Sequence, residues 1–272
     1  LLSDFECIRT AIPNKIKLFP VHSFQNPYFR KRKFPFMIEK SRGIVLHQVW
    51  YSDTSRIVHL YTEHFGRLAF MVKGIGRKGR FHHALFQPLT LLEVEIAYRS
   101  GRSLQTLRSA HHETPLPDLF SDIRKTTIAL FLGEILYKTL GEEETNPPLF
   151  RFLHTAVTQL ENEKHPALFP LIFLVHLTHY LGFPPANRFT DRTAFFDLRE
   201  GSFVPQPPLH DDFLSTSEAR YLSWLLEKET EEEVPLPPDK KGFFEKILRY
   251  YQIHLEGMRN INSLEVLHSV FH

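Results

Sequence analysis

The stretch GIVLHQVWYSDTSRIVHLYTEHFGRLAFMVK, residues 43–73, decides the fold. Gly43–Tyr51 is rich in Ile, Val and aromatic residues, and Ser52-Asp53 supplies turn chemistry. Arg56–Glu63 then alternates, with Val58 and Leu60 on one face and His59 and Tyr61 on the other. His64-Phe65-Gly66 reads as a hairpin turn. Arg67–Lys73 alternates again, with Leu68, Phe70 and Val72 inward and Met71 and Lys73 outward. A period of two marks strands with one face buried.

Downstream lies a Gly-rich basic loop, Gly74–Arg80, followed by a long strand expected over Ala84–Tyr98. Phe86, Leu92, Val94 and Ile96 share one parity there, and Glu93 and Glu95 the other. Arg99-Ser100-Gly101-Arg102 makes a turn into a fifth strand, Ser103–Ser109. Five short strands in about 70 residues, joined by hairpin signals, predict a small closed barrel of the OB type. Upstream, residues 1–36 carry Pro13, Pro20, Pro27 and Pro35 and end in the run Arg30-Lys31-Arg32-Lys33. Spaced prolines lack amide donors and break both helices and ladders, so this segment reads as a disordered basic tail. Met37 is expected to be the true start.

After Pro117 the period becomes helical. Ser121 is placed to cap a helix with the stripe Ile128, Phe131, Leu132, Ile135 and Leu136, stopped by Gly141. Leu149, Leu153, Ala156, Val157 and Leu160 form a second stripe. Ala167–Leu181 is apolar almost all round, which suits a central helix of a bundle. It contains His176 and His179 and ends at Gly182, so it reads as a buried helix and not a membrane span. A loop-rich insertion occupies residues 186–212. Ser215 and Glu218 have capping-box spacing before Tyr221, Leu222, Leu225 and Leu226. Phe244, Ile247, Leu248, Tyr251 and Leu255 form a further stripe, and Ser263 caps a short last helix. The expected fold class is α+β and multidomain: a five-stranded OB barrel at 37–112, then an α-helical bundle at 113–272.

Charge divides the same way. Residues 1–36 hold seven Lys/Arg against two acids, residues 37–112 eleven against five, and residues 113–272 fifteen against twenty-four. The net values of +5, +6 and −9 suggest an anionic partner for the front of the chain and different work for the back. The single cysteine, Cys7, permits neither an intramolecular disulfide nor a Cys-based zinc site, and a cytoplasmic address follows naturally.

The strongest chemical signal is Lys73-Gly-Ile-Gly-Arg77-Lys78-Gly-Arg80. Glycines let backbone amides approach a phosphate, and Lys and Arg neutralise it. It is not a Walker loop, because no Gly-Lys-Ser/Thr ends it. Lys73, Arg77, Lys78 and Arg80 are therefore candidate DNA-phosphate contacts, with Arg56, Arg67 and Arg102 as weaker members of the surface. Tyr61, Met71 and Phe81 are candidate faces for base stacking, and Trp50 and Phe70 are assigned to the core. The sixteen histidines offer no metal clamp: His82-His83 and His111-His112 are adjacent pairs, and His176 and His179 lack a carboxylate nearby in sequence. No Gly-x-Ser-x-Gly or His-Glu-x-x-His motif occurs, so neither catalysis nor a cofactor is expected.

Residues 43–66 and their continuation through Arg67–Lys78 resemble the opening of the bacterial RecO family. So do Gln87-Pro88-Leu89, Leu181-Gly-Phe-Pro-Pro185, Phe196-Asp197-Leu198, Gly201-Ser-Phe203 and Ser263-Leu-Glu-Val-Leu267, in that order. The resemblance implies a non-catalytic recombination mediator that binds single- and double-stranded DNA and anneals complementary strands. It also implies action with RecR, binding of the acidic C-terminal tail of single-strand-binding protein, and an indirect role in loading RecA. Many members hold zinc with four cysteines in the region of Ala186–Pro205. This chain has none there, so zinc is not carried over, and Phe189, Phe195, Phe196 and Phe203 are expected to hold the segment by packing. Two other readings stay open: a protein-interaction scaffold acting through the acidic helical domain, and, more remotely, a DNA-processing enzyme.

Overall fold

The computed structural model describes residues 37–76, 79–142, 144–186, 189–227, 235–258 and 260–271. The basic tail and the start-site expectation lie outside them, as do Arg77 and Lys78. Five strands come first: β1 (Met37–Ser52), β2 (Ser55–Thr62), β3 (Gly66–Lys73), β4 (Leu91–Tyr98) and β5 (Leu104–His112). They close in the order β1-β2-β3-β5-β4. β1 serves two partners, pairing β4 over Met37–Ile44 and β2 over Gly43–Ser52. The β3–β5 pair is parallel and the rest are antiparallel, which gives the OB barrel its closure. Val58, Leu60, Leu68, Phe70, Val72, Leu92, Val94 and Ile96 fill the interior, as their parity requires.

The expected long fourth strand is shorter. His83–Phe86 is a 3-10 turn, and Leu89 beside Pro88 takes a positive φ of 63°. Proline restricts its neighbourhood and breaks the extended run, so β4 begins only at Leu91.

Helices α1 (Pro117–Ser121), α2 (Ile123–Thr139), α3 (Pro147–Asn162) and α4 (Phe169–Leu181) follow. Asp122, not Ser121, caps α2 by accepting from the Arg124 amide. α4 ends on Gly182 at φ 86°, a left-handed cap. A three-stranded sheet, β6 (Phe195–Asp197), β7 (Ser202–Val204) and β8 (Phe213–Leu214), occupies the insertion in the order β7-β6-β8. Phe196 packs edge-on to Phe203 at 4.9 Å and to Tyr250 at 5.9 Å, and Phe189 meets Phe203 at 5.9 Å. These aromatic edges hold the region, which has no cysteine, and no three His, Asp or Glu side chains among the described residues converge as metal ligands. The chain finishes with α5 (Thr216–Glu227), α6 (Lys240–His254) and α7 (Leu264–Phe271). Ser215 precedes α5, and its amide donates to Glu218 Oε2 at 2.8 Å, as the capping spacing predicts.

Barrel and helices share a core. Ile44, Leu46, Tyr61, Leu89 and Leu91 belong to the same buried cluster as the stripes of α2, α3 and α4. A polar clamp reinforces the contact. Arg42 Nε and an Nη of the same guanidinium donate to the Glu63 carboxylate at 2.8 and 2.7 Å, and the guanidinium lies 5.2 Å from the Phe150 ring on α3. Its other Nη reaches Glu113 at 3.4 Å, and Glu113 pairs with His154 of α3 at 3.1 Å. The Arg42 hydrogen bond holds the Glu63 carboxyl below the usual carboxylate range. None of the helices described is long and apolar enough to cross a membrane.

Candidate nucleic-acid interface

The basic loop is not a free flap. Ile75 and Phe81 bridge each other and are buried in the barrel core, Phe81 against Phe86 at 5.8 Å. Gly74 and Ile75 donate their amides to the carbonyl of Thr54, at 2.9 and 3.0 Å, which ties the loop to the β1–β2 turn. Gly76 N–H reaches Phe81 O at 3.0 Å, and Phe81 N–H reaches Gly74 O at 3.2 Å. Gly74 sits at φ 73°, and a Cβ at Gly79 would run into the Gly74 carbonyl, so two of the three glycines are required by the turn. The result plants two apolar side chains inward and leaves Lys73 and Arg80 exposed beside the tip. The Arg80 guanidinium lies 5.5 Å from the Phe81 ring and donates to the Arg108 carbonyl on β5.

The structure distributes the remaining candidates differently from the sequence expectation. Arg67 does not face outward for a phosphate. One Nη donates to the Tyr137 carbonyl in the last turn of α2 at 2.8 Å, and the other meets Glu142 at 3.2 Å. A cation at the carbonyl end of a helix is favourable, so Arg67 fastens β3 to α2. Arg102 lies in the β4–β5 turn. In the parallel β3–β5 register, where Ala69 faces Leu104, it aligns with Arg67. That is six residues from Lys73, or roughly 20 Å along a strand. Arg108, exposed and level with Lys73 in that register, takes its place near the loop; the sequence reading missed it.

The aromatic candidates are corrected too. Tyr61 is only 2% exposed, because its outward face is covered by Phe150 of α3 at 6.3 Å between ring centroids. Burial pushes its hydroxyl up to about 12. Phe81 is 4% exposed, inside the barrel. Neither ring offers a face to a base. Phe70 is buried as expected, but Trp50, assigned to the core, is 65% exposed, and Tyr51 beside it is 66% exposed. Trp50 pairs with Arg56 across β1–β2 on the parity of Val58 and Leu60, near the end of β1; the next residue in that row, Val72 on β3, is buried in the barrel core, whereas Trp50 stands out from it. The Arg56 guanidinium therefore stacks on the Trp50 ring at 3.8 Å. It also donates to Gln48 Oε1 at 2.5 Å and meets His83 Nδ1 at 2.9 Å. At 8% exposure, Arg56 is turned toward Trp50, Gln48 and His83 and not, as the sequence reading expected, presented to solvent.

On β2 and β1, His59 and His47 pack against Tyr137 at 4.7 and 4.8 Å. Burial, and then the charge of Arg67, lowers the His59 imidazole to about 4, while burial lowers His47. These histidines are wedges between barrel and helix.

The barrel with its basic loop, followed by helices, matches known proteins along nearly its whole described length. The family model "Recombination protein O N terminal" matches residues 37–115, and "Recombination protein O C terminal" matches residues 120–264. The chain belongs to the RecO family. Among its relatives, the DNA repair protein RecO of Azobacteroides pseudotrichonymphae is 32% identical over 240 residues, covering 86% of this chain and 100% of the relative. The RecO proteins of Phocaeicola vulgatus and of Bacteroides fragilis strain YCH46 are each 35% identical, again over 86% of this chain and their own full length. The resemblance read from the motifs is borne out, and with it a general role in DNA repair and recombination.

Proposed function

We propose that this RecO-family chain is a non-catalytic mediator working in the cytoplasm. It binds single- and double-stranded DNA, anneals complementary strands and, with RecR, helps load RecA onto DNA coated with single-strand-binding protein. The observation that carries the DNA-binding part is the anchored loop: Ile75 and Phe81 fix it in the barrel while Lys73, Arg80 and Arg108 gather at its rim. Annealing asks for charge neutralisation and strand alignment, not proton transfer, and a rigid cationic rim supplies the first. On the helical side, Lys240 and Lys241 border a groove lined by Leu168, Pro170, Leu171, Phe244 and Leu267. Apolar floor and basic edge suit the acidic tail of single-strand-binding protein.

Salt titration of single-strand affinity tests the reading. Changing Arg77, Lys78 and Arg80 together to Ala should flatten the log–log salt slope by roughly 2 if each neutralises a phosphate, at about 0.7 per contact. Strand annealing should weaken in step. Unchanged affinity and slope, with unchanged melting, would return the loop to the role of a solvated turn and favour the scaffold reading.

A further inference from the structure

Trp50 is unlike the other large rings of the barrel. Tyr61, Phe70, Phe81 and Phe86 are buried, whereas Trp50 and Tyr51 stand at the end of β1 with about two thirds of their surface in solvent. An exposed tryptophan on a hairpin ordinarily samples several rotamers. This one is held, because the Arg56 guanidinium covers one face at 3.8 Å and is itself fixed by Gln48 and His83. His83 also approaches the indole directly, at 6.3 Å between centroids. With the Arg56 guanidinium over the ring and 65% of the residue still exposed, much of the indole remains open to solvent. The ring is thus ordered before any ligand arrives, which removes an ordering cost from binding.

The surroundings identify the occupant. The β1–β2 turn is joined by two amide hydrogen bonds to the base of the basic loop, so the indole shares one end of the barrel with Lys73, Arg80 and Arg108. Asp53 in the turn is the acid of this rim among the described residues 49–56, 71–76 and 79–83. A flat apolar face within a cationic rim is the arrangement that takes an unpaired base and the phosphates flanking it. A duplex offers the phosphates but keeps its bases stacked on one another.

We propose that Trp50, braced by Arg56 and adjoined by Tyr51, is a base-stacking platform that makes the barrel prefer unpaired DNA to duplex. The proposal rests on the DNA-binding reading above and adds to it the residue that distinguishes the two strand states. Arg56 is a positioning residue for the indole.

The full chain and its Trp50→Ala and Trp50→Phe variants are titrated with three labelled probes of equal length: oligo(dT), an abasic strand and a duplex. Loss of one stacked base should weaken oligo(dT) binding about 5- to 150-fold. Trp50→Phe should recover most of it. Duplex and abasic-strand affinities should change by no more than about twofold, and the salt slope should be unchanged, because stacking releases no counterions. In a Trp224→Phe background, which leaves Trp50 as the chain's one tryptophan, oligo(dT) should quench the fluorescence and the abasic strand should not. Oligo(dT) binding that Trp50→Ala leaves intact, or equal loss on all three probes, overturns the platform and leaves DNA binding standing. Salt-independent or undetectable DNA binding by the unaltered chain overturns both. Melting of the variants guards the comparison, since an exposed ring contributes little to stability.

Discussion

Gly133 reports on how tightly the barrel is docked on its helices. It lies on the buried face of α2, in the stripe that includes Ala129, Leu132 and Leu136. A Cβ there would come 2.7 Å from the carbonyl oxygen of Leu46, on β1, and 3.1 Å from Pro88 Cβ. Two effects oppose each other in Gly133→Ala. Alanine stabilises a helix interior by about 1 kcal/mol relative to glycine. Against that, the nearest atom is a buried backbone oxygen with no rotamer to turn away, and overpacking costs typically 1–3 kcal/mol. The net expectation is a loss of about 1 kcal/mol for Gly133→Ala. For Gly133→Val, where a branched side chain loses propensity as well, the loss should exceed about 3 kcal/mol. Urea unfolding resolves both, read as a lower midpoint at constant slope. A chain of this size should lose about 2–4 °C in melting temperature per kcal/mol. A Gly133→Ala variant more stable than the parent would refute the reasoning. Helix propensity would then have won, and α2 and β1 would be free to slide apart by the few tenths of an ångström that a methyl needs.

Two further outcomes are expected. His59 ordinarily titrates near 6.5 but is held at about 4 in the fold. The unfolded chain takes up this proton as pH falls from 6.5 while the folded chain does not, so stability drops through that window, by about 1–3 kcal/mol at pH 4. His59→Gln should flatten the stability–pH profile between those values, and an equally steep profile in the variant would count against the assignment. Phe196, fully buried between Phe203 and Tyr250, should cost about 3–5 kcal/mol when changed to Ala. Below its lowered melting point, that variant should still bind single strands with the parent's affinity; weakened binding by the folded variant would mean the insertion takes part in the DNA site.

The fold was legible where alternation or helical periodicity met no competition. β2 and β3 alternate cleanly, and their inward residues fill the barrel as read. The failures have a common cause. Parity tells which face of a strand a residue occupies but not what lies over that face. Tyr61 points out of the barrel, as its parity says, yet α3 is packed there, more than eighty residues later in the chain. Trp50 has inward parity, but it stands near the end of β1 with Arg56 as its cross-strand partner, so a guanidinium and not a core side chain covers its ring. Phe81 sits in a loop that turns back into the barrel, which local sequence does not signal. Arg67 reads as a surface cation because its partner, the end of α2, is seventy residues distant.

The same covering argument narrows where DNA can lie. Closure of the five strands leaves β1 and β4 paired, so no strand edge remains between them for augmentation. The face of β1 and β2 that carries His47, His59 and Tyr61 is taken by Tyr137 of α2 and Phe150 of α3. Arg42 and Arg67, two of the barrel's eleven cations, are spent on fastening that face to the helices, and Arg56 is spent on bracing Trp50. Of the other described cations, Lys40, Arg99 and Arg102 lie away from the basic loop, while Lys73, Arg80 and Arg108 lie at the end where the β1–β2 turn and the loop meet. Charge, an ordered aromatic face and a rigid anchor coincide there, although they come from segments more than fifty residues apart. A sequence scan for density of positive charge finds the loop; it needs the barrel's register to find the tryptophan beside it.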